Sequence, residues 1–287
     1  MLLSKLGYLR PTSLADAVAA LEGNENARLL AGGQTMINVM KTRFASPEVV
    51  IDLRDVPGLA GIDVGGDGAV RLGAMVTYDE IDTNPEIREA RPVLAEVATV
   101  IADQQVRNRG TLGGNVCAND PTNHFPPLMV ALDATMTIAG AGGERDVAAQ
   151  EFFAGVYMTA VESGEVLTGI SVPAGSANQG DAFDAATIGK EGTCIVSAAV
   201  SLRCNGTIED ARVVVGCVSA TPERASGVEA ALSGVAPTAE AIAGAVEGLG
   251  ASLDPPGDVH ASADYRRHLA EVVTRRAIET AAGKALT

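Results

Sequence analysis

The sequence has no tryptophan, and aromatic residues make up only 3% of its 287 positions. A nucleic-acid surface built on stacked rings therefore has no material here. Positive charge is also scarce: 21 Lys and Arg stand against 36 Asp and Glu, a formal net charge of −15. That balance repels phosphate polymers and anionic membranes at long range, so nucleic acid is excluded as a partner. No apolar run approaches a bilayer span, and the opening residues Met1, Leu2, Leu3, Ser4 and Lys5 lack the apolar core of a secretory signal. The expectation is a cytoplasmic protein with no membrane span.

Metal-ligand patterns are missing as well. The four cysteines, Cys117, Cys194, Cys204 and Cys217, form no Cys-x-x-Cys pair, and the three histidines, His124, His260 and His268, are scattered. These spacings build neither a zinc nor an iron–sulfur site, so no metal is assigned to this chain and the cysteines read as small buried side chains. No Ser-His-Asp, Cys-His or paired-carboxylate arrangement stands out. No catalytic residue is named.

What the chain does have is apolar material and glycine. Hydrophobic residues make up 47% of it, enough for two or three compact units. Two short segments are distinctive: Ala31-Gly32-Gly33-Gln34-Thr35, and Thr111-Leu112-Gly113-Gly114-Asn115. A Gly-Gly pair reads either as a tight turn or as a loop that turns consecutive N–H groups outward to an anion. Both loops carry flanking hydroxyl or amide side chains, in Thr35, Thr111 and Asn115, and this favours two grips on one diphosphate.

The surrounding pattern places each loop. Thr12 or Ser13 caps a helix carrying Leu14, Val18 and Leu21, which Gly23 ends. Residues 27–31 read as a strand entering the first loop and 36–41 as a helix leaving it, an order that aims helix-start N–H groups at the same anion. Further strands are predicted at 49–53, 70–74, 135–138 and 166–172. Thr77 and Glu80 form a capping box, Pro92 opens a helix ending near Ala102, and 128–132 is helical or a buried turn. Residues 173–176 form a linker. Beyond it, strands at 194–204 and 211–217 precede Ala-rich helices near 225–232 and 239–249. In a final helix, Tyr265, Leu269, Val272, Val273 and Ala277 share one face. Arg266, Arg267, Arg275 and Arg276 then fall mostly off that stripe, as a solvated basic edge or as a docking edge for a partner subunit.

The two loops, together with Val106-Arg107-Asn108-Arg109-Gly110 and Ala263-Asp264-Tyr265-Arg266-Arg267-His268-Leu269-Ala270, resemble the FAD-carrying medium subunit of molybdenum hydroxylases. This family includes carbon monoxide dehydrogenase, with xanthine dehydrogenase as a fused relative. The resemblance runs in order from residue 1 to about residue 282. It implies an α+β fold: a two-subdomain FAD-binding unit of the PCMH type, then a C-terminal α+β domain with an antiparallel sheet. The expected boundaries are 1–56, 57–175 and 176–287.

The resemblance also implies site residues. The FAD diphosphate falls to Gly32, Gly33, Gln34, Thr35, Thr111, Gly113, Gly114 and Asn115, with Leu112 inside the second loop. Leu30, Ala31 and Met36 flank the first loop, and Ile101, Cys117 and Leu167 match apolar positions around the cofactor. His124, with Asp120 nearby, holds the place where many relatives put an acidic residue on the adenosine ribose; it reads either as a cofactor contact or as a packing histidine. Lys190 aligns with a basic residue near the flavin edge, or is a surface lysine. Cys194 replaces an aromatic ring that covers the flavin in some relatives, which would open that face to an acceptor.

The function implied is electron transfer. A molybdenum-cofactor large subunit would oxidise the substrate, [2Fe-2S] clusters on a small subunit would carry the electrons, and FAD on this chain would pass them to an external acceptor. The expected assembly is a dimer of heterotrimers. Two alternatives are a standalone flavin reductase sharing the fold and a structural subunit without flavin.

Overall fold

The computed structural model describes residues 3–189 and 192–286, so Lys190 lies outside the described residues. The chain opens with β1 (Gly7–Leu9), and Ser13 then caps α1 (Leu14–Glu22) by accepting the Asp16 amide. Strand β2 (Ala27–Leu30), α2 (Met36–Lys41) and β3 (Val49–Asp52) follow, close to the predicted ranges. The three strands are parallel in the order β1-β3-β2, a pairing that needs crossovers of the kind α1 and α2 supply. Ala17 and Val18 pack α1 against Ala27, Ile51 and Leu53.

Asp52, at the end of β3, is fully buried. Its carboxylate accepts the Tyr8 hydroxyl at 2.6 Å, the Arg54 amide at 3.0 Å and the Arg54 guanidinium at 2.9 Å. Burial alone would raise its pKa, but these bonds outweigh it and hold the carboxyl below the usual aspartate range.

The second unit begins with β4 (Ile62–Val64) and β5 (Val70–Gly73). The Thr77/Glu80 capping box opens α3 (Tyr78–Thr83) as the sequence predicts. Helix α4 (Pro85–Ala90), capped by Asn84, was not anticipated; Pro85 and Asn84 are the signal that could have found it. Helix α5 (Pro92–Thr99) starts at the predicted proline and stops before Ala102, which adopts a left-handed φ of 45°. Short helices α6 (Gln104–Arg107), α7 (Leu112–Ala118) and α8 (Phe125–Ala131) follow. The unit is completed by β6 (Thr135–Gly140), β7 (Gly143–Ala148), α9 (Ala149–Phe152), the hairpin β8 (Phe153–Gly155) and β9 (Met158–Thr159), and β10 (Val166–Val172). Its five-stranded sheet is antiparallel, in the order β4-β5-β10-β6-β7, and Leu72, Leu94, Leu112, Phe125 and Met136 share one core.

The third sheet is an antiparallel meander of β11 (Gln179–Thr187), β12 (Cys194–Asn205), β13 (Thr207–Gly216) and β14 (Glu223–Arg224). Helices α10 (Ser226–Leu232) and α11 (Ala239–Val246) precede α12 (Ala263–Ala285), which lies across β11 and β12. The contact is close: a Cβ on Gly180 would sit 1.9 Å from the Ala281 carbonyl oxygen. Arg91 and Asp181, both nearly buried, pair at 3.4 Å between the second unit and this sheet, and Lys284 reaches Glu96 at 2.8 Å.

The face of α12 differs from the expected stripe. Its buried residues are Arg266, Ala270, Val273, Thr274, Ala277, Ile278, Ala281, Ala282 and Ala285, while Tyr265 is half exposed. The helix is rotated toward its alanines because small side chains allow the close approach to β11. Arg266 is therefore not part of a solvated edge. Its guanidinium donates to the Ile195 carbonyl, to the Cys217 carbonyl at 3.3 Å and to Asp258 at 2.7 Å.

Two stability measurements test these buried polar groups. Asp52→Ala is expected to lower the unfolding free energy by about 1–3 kcal/mol at pH 7 in urea denaturation. Because the folded pKa is depressed, this contribution is full above the unfolded value near pH 4 and is lost as pH falls through the folded pKa; the gap between variant and wild type should close in acid. Arg266→Leu, which strands the Ile195 and Cys217 carbonyls, should cost about 3 kcal/mol by the same assay.

Candidate functional site

The first glycine loop leaves the C-terminal end of β2, where Leu30 pairs in parallel register with Asp52. Gly33 takes a φ of +76°, which favours glycine, and the Gln34 side chain donates to the Gly32 carbonyl at 3.0 Å, holding the loop's shape. Among the described residues, no protein acceptor takes the N–H groups of Gly32, Gly33, Gln34 or Thr35. Thr35 is exposed and starts α2 without spending its hydroxyl on a cap. Four consecutive amides and a hydroxyl are thus left for a ligand. Leu30 is buried behind them, and Ala31 and Met36 are half-buried.

The second loop is different. The Leu112 amide donates to the Val76 carbonyl at 2.9 Å, the Gly113 amide to the Ala74 carbonyl at 2.8 Å, and the Asn115 amide to the Thr111 carbonyl at 3.0 Å. Thr111 caps α7 by accepting the Gly114 amide at 3.1 Å. The expectation of outward N–H groups is therefore corrected for this loop: they are engaged within the protein, because the loop doubles as the start of a helix strapped to the segment after β5. What it presents is side-chain chemistry and small size. Asn115 is buried, donates to the Tyr78 hydroxyl at 2.9 Å, and leaves its Oδ1 with no partner. Burial pushes the Tyr78 phenol up to about 12, with the Asn115 bond acting in the opposite direction.

The two loops touch through backbone. A Cβ on Gly32 would lie 1.9 Å from the Arg109 carbonyl oxygen and 3.0 Å from the Gly110 Cα. One on Gly114 would lie 3.6 Å from the Ala31 Cβ, and one on Gly113 would meet the Ala74 carbonyl oxygen at 2.5 Å. Gly32 and Gly113 are thus required by contacts inside the protein.

The other predicted positions divide between this ridge and the boundary with the third sheet. Cys117 is half-buried on α7, and burial pushes its thiol up to about 12. Ile101 is half-buried and Leu167 is buried in β10 opposite Ile138. Asp120 is occupied: one oxygen accepts the Thr122 amide and hydroxyl, the other the Tyr157 hydroxyl at 3.0 Å. His124 is buried, its Nδ1 has no partner, and its ring centroid lies 5.0 Å from that of Phe183. It lines a cavity of about 400 Å³ with Glu96, Thr99, Val100, Phe183 and Asp184. Asp184, whose Oδ2 is buried without a partner, was not anticipated, because the polar residues of β11 masked the strand.

Cys194 lies against His124 and Cys217 and is only 2% exposed, so the open face expected at this position is not an exposed surface. The neighbouring Cys217 and His124 side chains hold its thiol below the ordinary cysteine value despite burial. Cys217 is correspondingly raised. No group of three or more His, Cys, Asp and Glu residues among the described residues is arranged to hold a metal ion, and no helix is long and apolar enough to cross a membrane.

Comparison with known proteins bears on both halves of the chain. Residues 4–175 match the family described as the FAD binding domain in molybdopterin dehydrogenase, and residues 181–281 the CO dehydrogenase flavoprotein C-terminal domain. The chain is 36% identical over 283 residues to the carbon monoxide dehydrogenase medium chain of Hydrogenophaga pseudoflava, covering 98% of each. It is 34% identical over 284 residues to the nicotine 6-hydroxylase medium subunit of Paenarthrobacter nicotinovorans, covering 99% of this chain and 100% of that one. A solved structure of quinoline 2-oxidoreductase from Pseudomonas putida 86 contains a chain that superposes with a TM-score of 0.95 at 34% identity, over 100% of both chains.

The packing of the glycines can be separated from ligand binding. Gly32→Ala or Gly113→Ala should each lower stability by about 2–4 kcal/mol in calorimetry of ligand-free protein, because backbone must move to admit the methyl. A loss seen only in the presence of ligand would contradict this origin.

Proposed function

The chain belongs to the family of FAD-binding medium subunits of molybdenum hydroxylases, and we propose that it carries FAD as the electron-transfer subunit of such a complex. The observation that carries this reading is the run of unpaired amides from Gly32 to Thr35, braced from behind by the second loop. Consecutive N–H groups on a glycine-rich loop suit a diphosphate. The buried, unpartnered Oδ1 of Asn115 and Nδ1 of His124 are further polar atoms that fit a cofactor with amide, hydroxyl and phosphate groups.

In this proposal the Gly32, Gly33, Gln34 and Thr35 amides and the Thr35 hydroxyl hold the diphosphate, with Thr111, Gly113, Gly114 and Asn115 on its other side. Gly113 and Gly114 contribute closeness, since their amides are engaged elsewhere. Leu30, Ala31, Met36, Ile101, Leu112, Cys117 and Leu167 supply apolar surroundings. His124 takes a place toward the cofactor, whereas Asp120 acts through the loop it shapes. Lys190 and Cys194 remain candidate neighbours of the flavin. Residues 1–56 and 57–175 form the two halves of the binding unit, and 176–287 the third.

Bound FAD would supply redox chemistry that accepts electrons singly and delivers them singly or in pairs. The chain's own residues bind it, orient it and limit access to it; none is required as an acid or base. Electrons would come from [2Fe-2S] clusters on a small subunit, after substrate oxidation at the molybdenum cofactor of a large subunit, in a dimer of heterotrimers. An external acceptor would remove them. The match of residues 181–281 supports this reading over a standalone reductase, and the intact first loop supports it over a flavin-free subunit.

Purified chain should carry stoichiometric FAD by its absorption spectrum and co-purify with molybdenum- and iron–sulfur-containing subunits. Thr35→Val should weaken FAD binding by about tenfold in a flavin titration, the cost of one lost hydrogen bond. A chain that binds no FAD and associates with neither subunit would overturn the proposal.

A further inference from the structure

The segment after β5 runs beside the second glycine loop. Thr77 bridges Thr111 in antiparallel fashion, and the Tyr78 amide donates to the Gly110 carbonyl at 3.0 Å. The Thr77/Glu80 capping box fixes the start of α3 at Tyr78, which is thereby carried against the loop and is only 5% exposed. Its ring packs on the loop backbone and on Phe125. A Cβ on Gly110 would lie 2.5 Å from the Tyr78 Cε2, and the Phe125 ring is stacked at a centroid distance of 5.8 Å. With the ring packed against both, the hydroxyl has a set position, 2.9 Å from the Asn115 Nδ2.

This bond leaves both side chains incomplete. Asn115 donates, so its buried Oδ1 has no partner; the Tyr78 hydroxyl accepts, so its own proton has no acceptor among the described residues. A half turn of the amide exchanges its oxygen and nitrogen. In the turned state the Tyr78 hydroxyl donates to Oδ1, and Nδ2 faces the place where Oδ1 stands unpaired. A diphosphate offers acceptors only, so this is the orientation that it selects. Burial pushes the phenol up to about 12, and it therefore keeps the proton that such a bond needs. The second loop also needs a side-chain donor, because its amides from Leu112 to Asn115 are bonded within the protein.

We infer that Tyr78 is a positioning residue for FAD: its hydroxyl accepts from Asn115 in the free chain and donates to the Asn115 Oδ1 when the diphosphate takes the amide nitrogen. Asn115 can then present a donor to the ligand without leaving its own oxygen unpaired in the interior. Phenylalanine at this position would fill the same space and serve neither orientation. This role rests on the proposed contact of Asn115 with the diphosphate, since Tyr78 acts through Asn115.

FAD titrations of the full-length, FAD-free chain test this role in a double-mutant cycle. Tyr78→Phe keeps the ring and removes the hydroxyl alone; it should weaken FAD binding by about three- to tenfold, the cost of immobilising one freed side chain. Asn115→Ala should weaken it by about tenfold or more. In the Asn115→Ala chain, adding Tyr78→Phe should change affinity by less than about twofold, because the residue through which Tyr78 acts is gone. Asn115→Leu, of similar size, closes the same cycle if the alanine variant does not fold. Equal losses from Tyr78→Phe in both backgrounds would mark it as a support of the loop in general, and that result, or an unchanged affinity in Tyr78→Phe alone, would overturn the inference while leaving FAD binding by the chain intact. A wild-type chain that takes up no FAD would overturn the proposed function and this role with it.

Discussion

The contact on which the site depends is backbone against backbone: Gly32 lies on the Arg109 carbonyl, with no room for a side chain between them. It joins a parallel three-stranded unit to an antiparallel five-stranded one at the point where the first leaves its amides unpaired. A side chain at this position would hold the loops apart and separate the open amides from Asn115. The second loop can serve as a fixed wall because its amides from Leu112 to Asn115 are bonded within the protein. Strapped to Ala74 and Val76, it transmits the position of the larger sheet, since the Ala74 amide in turn bonds the Thr168 carbonyl at 3.0 Å.

A similar joining holds the third sheet. The Arg91–Asp181 pair and the Lys284–Glu96 pair link α5 to β11 and to the end of α12. Glu96, one of these four residues, also lines the cavity bordered by His124 and Phe183. The exposed pair contributes little by itself, whereas the nearly buried one fixes register because leaving either charge unpaired is costly. One wall of the cavity thus shares a residue with the attachment of the C-terminal unit.

Much of this was legible in the sequence where local chemistry decides structure. Gly23 ended α1, whose cap lay at Ser13, one of the two residues offered; Thr77 and Glu80 opened α3, and the apolar run of 166–172 was β10. The two glycine loops and their order were legible too. Which of them keeps free amides was not, because Val76 and Ala74, the acceptors for the second loop, are distant in sequence. Strand β11 was hidden by its aspartates and alanines, since a strand's face is defined by neighbours not yet known. Arg266 illustrates the same limit: periodicity assigns an arginine to solvent, and only the folded chain brings Ile195, Cys217 and Asp258 around it.

The unequal hydrogen bonding of the two loops also divides their motions. Amides at Leu112, Gly113 and Gly114 can exchange with solvent only when the helix start opens, so they report on the cooperative stability of the larger sheet. Amides from Gly32 to Thr35 have, among the described residues, no protein bond to break first. Protection from exchange is thus divided between the two units, with the larger one alone having bonds to open at its loop.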